Sequence, residues 1–357
     1  MASTVSTSVG LSLLQVRRLC MQSLLHAGLR RDSALALARR ITDCERDNCK
    51  SHGLFRLPHW IRSLHLGKAD GQSEPSVHEL SHSAVHVDAH LGFSPLALEK
   101  GLPVLATKAH QTGIAILTVR NVFHYSALWH ECEELANEGL VSMAFLTSKS
   151  FMAPAGGSDK LFGTNPMGFG FPRPDGVPPV VIDQASSMMA RGEILLMLEK
   201  GLSLPEGCAI GPDGCPTVDP TVALVGAQLP YGFHKGSCIA LMVELLASGI
   251  TGSPFSFQQR EMDVDETSTS PTRTAETVIA IDPIRLGAVR NIADLHAHTD
   301  LFIEQLSKHQ NARLPFSQRL AARTRSEKEG IEIPKHLYDE IIALLPVDSQ
   351  DDYASRS

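Results

Sequence analysis

Ser51-His52-Gly53-Leu54-Phe55-Arg56-Leu57-Pro58 is the stretch of this 357-residue chain whose residue types best suit chemistry. An imidazole with a pKa near neutrality is a ready general acid at physiological pH. Arg56 follows His52 by four positions. If the turn is helical, the two share a face, and a cation able to grip a carboxylate in bidentate fashion stands beside a proton donor. Pro58 disfavours helix at Leu57, which limits that shared face. Taken alone, the same residues read as a turn capped by Ser51, with an ordinary surface His52 and Arg56.

Two later stretches carry comparable detail. One is Leu161-Phe162-Gly163-Thr164-Asn165-Pro166-Met167-Gly168-Phe169, followed by Asp183-Gln184-Ala185-Ser186-Ser187. The other is Leu229-Pro230-Tyr231-Gly232-Phe233-His234-Lys235-Gly236-Ser237, which runs into an apolar segment. The phosphate-binding patterns GxGxxG and GxxxxGK[ST] are both missing, and Gly168-Phe169-Gly170 follows Pro166 without opening a helix. A Rossmann domain is therefore not expected.

In this order, the three stretches resemble the type 2 malate/L-lactate dehydrogenase family over roughly residues 10 to 335. The likeness is greatest to its Δ1-piperideine-2-carboxylate/Δ1-pyrroline-2-carboxylate reductases, through His124-Tyr125-Ser126-Ala127-Leu128-Trp129, Asp183-Gln184 and His234-Lys235-Gly236-Ser237. The resemblance implies reduction of a cyclic 2-imino acid by NADPH, with NADH possible, in a homodimer. It implies a mixed α/β fold: a non-Rossmann cofactor domain with a largely antiparallel sheet, beside a helical domain built from both termini. His52 becomes the proton donor and Ser51 its relay partner. The relay carboxylate matches Glu193, where relatives carry Asp. Arg56 and Thr164 match substrate-binding positions. Cofactor contacts match His124, Tyr125, Ser126, Ala127 and Leu128; Asp183, Gln184 and Ala185; Arg191 and Gly192; His234, Lys235 and Gly236; and Arg313, Leu314 and Pro315. Arg191 and Arg313 are cations that could meet a 2'-phosphate and favour NADPH.

Three bland alternatives stand beside these roles. Glu193 could be a solvated residue at a helix start, and Thr164 could serve turn chemistry beside Gly163 and Asn165-Pro166. Phe233 stands where relatives usually carry glycine, so a position needing φ > 0 is lost or the ring packs elsewhere. Three further activities stay open: a 2-hydroxy acid dehydrogenase of the malate, lactate or ureidoglycolate type, a metal-dependent hydrolase, and an inactive relative spoiled at Phe233 and Glu193.

Composition narrows the classes. The net charge of -7 argues against a nucleic-acid partner, which needs clustered Lys and Arg. Apolar stretches such as Cys238 to Leu246 fall short of the ~20 residues that span a bilayer. The 7 cysteines form no CxxC pair, which fits reduced thiols in the cytoplasm. The 16 histidines invite a metal reading, with His296-Ala297-His298 as its best support. That pair falls in a helical pattern, where positions i and i+2 point apart, so no metal site is expected.

Periodicity predicts helices over Leu13 to Leu25, Ser33 to Asp47, His59 to Leu66 and Ala127 to Asn137. It predicts another over Leu96 to Gln111 with a break at Gly101-Leu102-Pro103, and a fully buried one over Lys235 to Gly249. Strands are predicted at Ala84 to Val87, Ile114 to Val119, Leu140 to Leu146, Val180 to Ile182 and Thr277 to Ile281. Arg260 to Arg273 reads as a loop or lid, and Ile284 to Leu344 as mostly helical. The expected domains are 1–110 with 285–357, and 111–284.

Overall fold

Ser12 starts the first helix because its hydroxyl accepts the Gln15 N–H at 3.3 Å while the Gln15 side chain accepts the Ser12 N–H at 2.8 Å. The computed structural model describes residues 8–123, 127–263, 273–287, 289–309, 313–348 and 350. The chain opens with β1 (Ser8–Leu11), α1 (Leu13–His26), α2 (Arg31–Arg46), 3₁₀ turns at Lys50–His52 and Leu54–Arg56, and α3 (Leu57–His65). Next come β2 (Ser76–Ser81), β3 (Ala84–Asp88), α4 (Ser94–Thr112), β4 (Ile114–Val122), α5 (Trp129–Asn137), β5 (Val141–Leu146), β6 (Met167–Phe171) and β7 (Val180–Gln184). They are followed by α6 (Arg191–Glu199), β8 (Ala209–Ile210), β9 (Pro216–Thr217), α7 (Pro220–Val225), β10 (Ala227–Gln228) and α8 (His234–Glu244). A π-helical turn at Leu245–Gly249 leads to α9 (Ser256–Met262), β11 (Thr274–Ile281) and α10 (Ile292–Lys308). The chain closes with α11 (Ser317–Glu329), β12 (Ile331–Pro334) and α12 (Lys335–Ile342).

Two compact units result, Met1–Ser73 with Phe316–Ser357 and Glu74–Pro315. These boundaries differ from the expected breaks at 110 and 285. β2 and β3 pair into the sheet through β4, and α4 packs on β3 and β4, so residues 74–110 go with the second unit. α10 goes with it too, since Arg173 forks onto Asp300 at 2.9 and 3.1 Å.

In the first unit, β1 and β12 form an antiparallel pair that zips the two ends of the chain together, Val9 opposite Ile333. Leu19, Leu37, Ile41, Leu57 and Trp60 fill the core. The Asp47 carboxylate caps this arrangement. Arg323 of α11 forks onto it at 2.6 and 2.9 Å, and Arg46 adds a bond at 2.7 Å. Buried charge needs such pairing to be tolerated.

The second unit is built on a seven-stranded sheet, order β2-β3-β4-β11-β5-β6-β7. Its pairs are antiparallel except β3 with β4. β8, β9 and β10 form a second small sheet. The fold is thus mixed α/β with a largely antiparallel sheet. Glycines decide how closely helices approach. A Cβ at Gly170 would lie 2.3 Å from the Cys132 carbonyl oxygen, and one at Gly168 would lie 2.8 Å from Cys132 Sγ. The Gly168-Phe169-Gly170 stretch is therefore the strand on which α5 rests, and the glycines serve close packing there.

Three expectations need correction. α4 runs unbroken through Pro103, because Gly101 seats it against Val87 and Leu117 on the sheet and the packed face outweighs the lost backbone bond. The stretch read as helical to Leu344 is interrupted by β12, whose Ile331 and Ile333 point inward in strand alternation. α8 and the π turn bury only one face. Gly236, Ala240, Val243, Ala247 and Ser248 are inside, whereas Cys238, Leu241 and Leu245 are exposed. Hydropathy around the whole helix could not distinguish the two faces. α9 occupies Ser256–Met262, and the rest of the proposed lid, 264–272, lies outside the described residues. Among the described residues, no helix is long and apolar enough to cross a membrane.

Candidate active site

α2 ends at Arg46 with Asp47 as its C-cap, and Asn48 turns left-handed at φ 59°. Cys49 N–H then returns to the Cys44 carbonyl at 2.7 Å, which sends the chain into the 3₁₀ turn Lys50–His52. Ser51 is buried, and its Oγ shares a 3.0 Å hydrogen bond with His52 Nδ1. His52 Nε2 has no hydrogen-bond partner among the described residues. Loss of water around the ring, then the Arg56 guanidinium, push the His52 pKa down from 6.5 to about 4.

The expected helical face linking His52 to Arg56 is broken at Gly53. Arg56 instead folds back, its Nε donating to the Ser51 carbonyl at 2.9 Å. Its guanidinium makes no ion pair among the described residues, and burial lowers its pKa. A half-buried cation without a carboxylate is a ready anion grip. The turn rests on Glu45, which sequence patterning did not single out. Glu45 is 3% exposed and accepts the Leu54 N–H at 2.8 Å. A Cβ at Gly53 would lie 2.1 Å from its Oε1, so Gly53 is the residue that lets the turn sit there. Burial raises the Glu45 pKa.

In the second unit, the two later stretches are stitched together. Ser186 N–H donates to the Thr164 carbonyl and Ser186 Oγ to the Asn165 carbonyl, both at 2.7 Å. Tyr231 N–H donates to the Ser186 carbonyl at 3.0 Å. Gly236 lies so close that a Cβ would stand 2.4 Å from the Tyr231 carbonyl oxygen and 2.8 Å from that of Ser186. Thr164, Ser186, Tyr231 and Gly236 thus come together, with Ala185 adjacent to Ser186 in the chain. The Thr164 backbone N–H reaches Ser148 Oγ at 3.3 Å, and its half-buried hydroxyl has no partner among the described residues.

The other matched positions are placed unevenly. Gln184, His234 and Lys235 are exposed. The Asp183 carboxylate accepts the Trp129 N–H at 3.1 Å, at the start of α5. Ala127 and Leu128 are buried beside it in sequence, whereas His124, Tyr125 and Ser126 lie outside the described residues. Glu193 is exposed and Gly192 buried, and Glu193 Oε2 accepts the Ala190 N–H at 3.3 Å at the start of its own helix. Arg191 lies over the Phe151 ring at 4.1 Å. Nearby, burial and then Arg260, Arg191 and Lys149 push the Lys160 ammonium down to about 8. Arg313 and Pro315 are exposed and Leu314 half-buried on the α10–α11 connection. His296 and His298 fall on α10, and no group of three or more metal-ligating side chains occurs among the described residues. An anionic dinucleotide needs cations and open polar surface, and Arg191, Lys235 and Gln184 are of a kind that fits it.

Phe233 takes φ 61° and ψ −115°, a conformation suited to glycine, and leaves its ring 66% exposed. Such strain costs of order 1–3 kcal/mol, partly offset by the ~0.5–1 kcal/mol that glycine loses in backbone freedom. Phe233→Gly is therefore expected to raise stability by about 1 kcal/mol. A urea midpoint that stays level or falls would show that the ring contributes packing this reasoning omits.

Sequence patterning quoted Asn165, Ser186 and Tyr231 only as parts of these stretches, with no role in the site, and passed over Glu244 and Ser256. One signal was available: Glu244 is a lone charge in an apolar run, and such a charge must be paired.

Comparison with known proteins bears on the family. The family model for malate/L-lactate dehydrogenase matches residues 11–342. The chain is 46% identical over 338 residues to Delta(1)-pyrroline-2-carboxylate reductase 1 of Burkholderia ambifaria, covering 94% of this chain and 98% of that one. It is 43% identical over 339 residues to the Delta(1)-pyrroline-2-carboxylate/Delta(1)-piperideine-2-carboxylate reductase of Pseudomonas aeruginosa, covering 94% and 99%. The crystal structure of delta1-piperideine-2-carboxylate reductase from Pseudomonas syringae pv. tomato matches with a TM-score of 0.87 at 35% identity, covering 94% and 99%.

Proposed function

The chain belongs to the malate/L-lactate dehydrogenase family, and from that premise we propose that it is an NADPH-dependent reductase of cyclic 2-imino acids. It is an oxidoreductase that acts on imino acids. The finer reading takes Δ1-pyrroline-2-carboxylate to proline and Δ1-piperideine-2-carboxylate to pipecolate. The observation that carries it is the pairing, on one short turn, of a His52 Nε2 and an Arg56 guanidinium that have, respectively, no hydrogen-bond partner and no carboxylate among the described residues. Such a turn suits a substrate that bears an anion next to an atom needing a proton.

When bound, the nicotinamide cofactor supplies the hydride to the C=N carbon. His52 delivers the proton to the nitrogen, with Ser51 holding the ring through Nδ1. Arg56 is assigned the grip on the substrate carboxylate, and Thr164 is assigned a substrate contact through its hydroxyl. Glu193 is assigned the relay carboxylate. The cofactor is held by segments around Ala127-Leu128, Asp183-Gln184-Ala185, Arg191-Gly192, His234-Lys235-Gly236 and Arg313-Leu314-Pro315. The exposed apolar face of α8, with Cys238, Leu241 and Leu245, supports a homodimer, because exposed apolar patches favour association. The seven cysteines, odd in number and without a CxxC pair, support reduced thiols in a cytoplasmic setting.

A substrate panel followed by NADPH absorbance tests the reading. Turnover is expected with the two cyclic imino acids and to exceed that with pyruvate or oxaloacetate. Preference for an oxo acid would move the chain to the 2-hydroxy acid dehydrogenases of the same family. Arg191→Ala is expected to raise the Kd for NADPH about tenfold while leaving that for NADH within twofold, the loss of one charge-assisted contact. Equal losses for both cofactors would remove Arg191 from the choice between them.

A further inference from the structure

Glu244 sits at the end of α8 on its buried face, 5% exposed, among residues that are otherwise apolar or small. A buried carboxylate is costly unless its oxygens are well supplied with donors. Here they are. Oε1 accepts the Asn165 side-chain amide at 2.8 Å and a close bond from Ser256 Oγ, and Oε2 accepts the Ser256 N–H at 3.2 Å. The Asn165 amide also donates to the Ala240 carbonyl at 3.0 Å.

Asn165 is fully buried and takes φ 37°, a left-handed conformation that Asn tolerates better than most residues. A Cβ at Gly163 would lie 2.5 Å from Asn165 Oδ1, so the amide packs directly on the turn it belongs to. The π turn that follows Glu244 is also tied down. Ser248 Oγ donates to the Pro254 carbonyl at 3.0 Å, and the chain then returns Ser256 to Glu244. Glu244, Asn165 and Ser256 make a closed network, and the residue next to Asn165 is Thr164, whose hydroxyl has no partner among the described residues.

We propose that Glu244 is the positioning residue for Thr164. By locking the Asn165 side chain, it holds the Thr164-Asn165 turn so that the Thr164 hydroxyl meets the carboxylate of the imino acid. The inference rests on the reading of Thr164 as a substrate contact.

A double-mutant cycle on the full chain tests both separately, read as KM for Δ1-pyrroline-2-carboxylate and as Kd for NADPH by fluorescence. Thr164→Val is expected to raise KM. Glu244→Gln presents an amide to the Ser256 N–H, loosens the network and is expected to raise KM about tenfold, with the NADPH Kd within twofold. In the Thr164→Val background Glu244→Gln should add nothing, because both act through one contact. A merely structural Glu244 would lower kcat and thermal stability in either background without that non-additivity. Full additivity, or an unchanged KM in Glu244→Gln while Thr164→Val raises it, overturns the inference alone. An unchanged KM in Thr164→Val overturns the Thr164 reading and the inference with it. If Glu244→Gln fails to fold, Ser256→Ala, which removes one donor, should show the same non-additivity with about a threefold rise.

Discussion

His52→Ala is expected to lower kcat on Δ1-pyrroline-2-carboxylate by about two to four orders of magnitude, the usual worth of a positioned general acid. The side chain is half-buried and bonded only to Ser51 among the described residues, so its removal should leave the fold standing. A matching circular dichroism melt would confirm that. Turnover within threefold of the parent would end the assignment. The pH profile sharpens the test. In the free protein His52 titrates at about 4, so its ring is neutral at pH 7. A required acid is active only while protonated, so kcat/KM should fall as pH rises above that value. A substrate carboxylate set against Arg56 offsets the positive field that helps to depress the ring. The descending limb of kcat should therefore lie at higher pH than that of kcat/KM. Stability carries the same signature with its own sign. The folded pKa lies below the ordinary 6.5, so this contribution is complete above pH 6.5 and is lost as pH falls through about 4.

Arg56→Leu is the second large effect. A bidentate contact to a carboxylate comprises two charge-assisted hydrogen bonds, together worth about 3 kcal/mol or more. KM for the imino acid should rise about a hundredfold, since each 1.4 kcal/mol is about tenfold. Arg56→Lys should recover only part of the loss, because an ammonium supplies charge without the planar fork. Arg56→Leu also removes a cation that depresses His52, so the limb of kcat/KM should move to higher pH. A KM within threefold of the parent would show that the carboxylate is gripped elsewhere. An unmoved limb would show that burial alone sets the His52 pKa.

Much of the fold was legible because most elements carry their own signal. α1, α2 and α3 follow apolar periodicity and caps, and β4, β5 and β11 are apolar runs of strand length. The short strands β8, β9 and β10 have only two residues each, too few for any period to register. The failure at Pro103 has a different cause. A local rule about proline was outweighed by the seat that Gly101 provides on the sheet.

The site divides in the same way. Ser51, His52 and Arg56 are contiguous enough to be picked out as a group, and the stretches at 161–169, 183–187 and 229–237 could each be recognised. Their order and residue types determined the family and the kind of chemistry. The sequence alone could not say that Arg56 bends back to the Ser51 carbonyl, that Glu45 lies under Gly53, or that Ser186 joins Thr164 to Tyr231. Nor could it say that Ser8 pairs with Pro334 or that Glu244 reaches Asn165. Those facts depend on which distant backbone and side-chain groups are brought within about 3 Å, a distance that no local spacing encodes. Residue types determined what chemistry was available, and long-range packing decided which groups were left free to perform it.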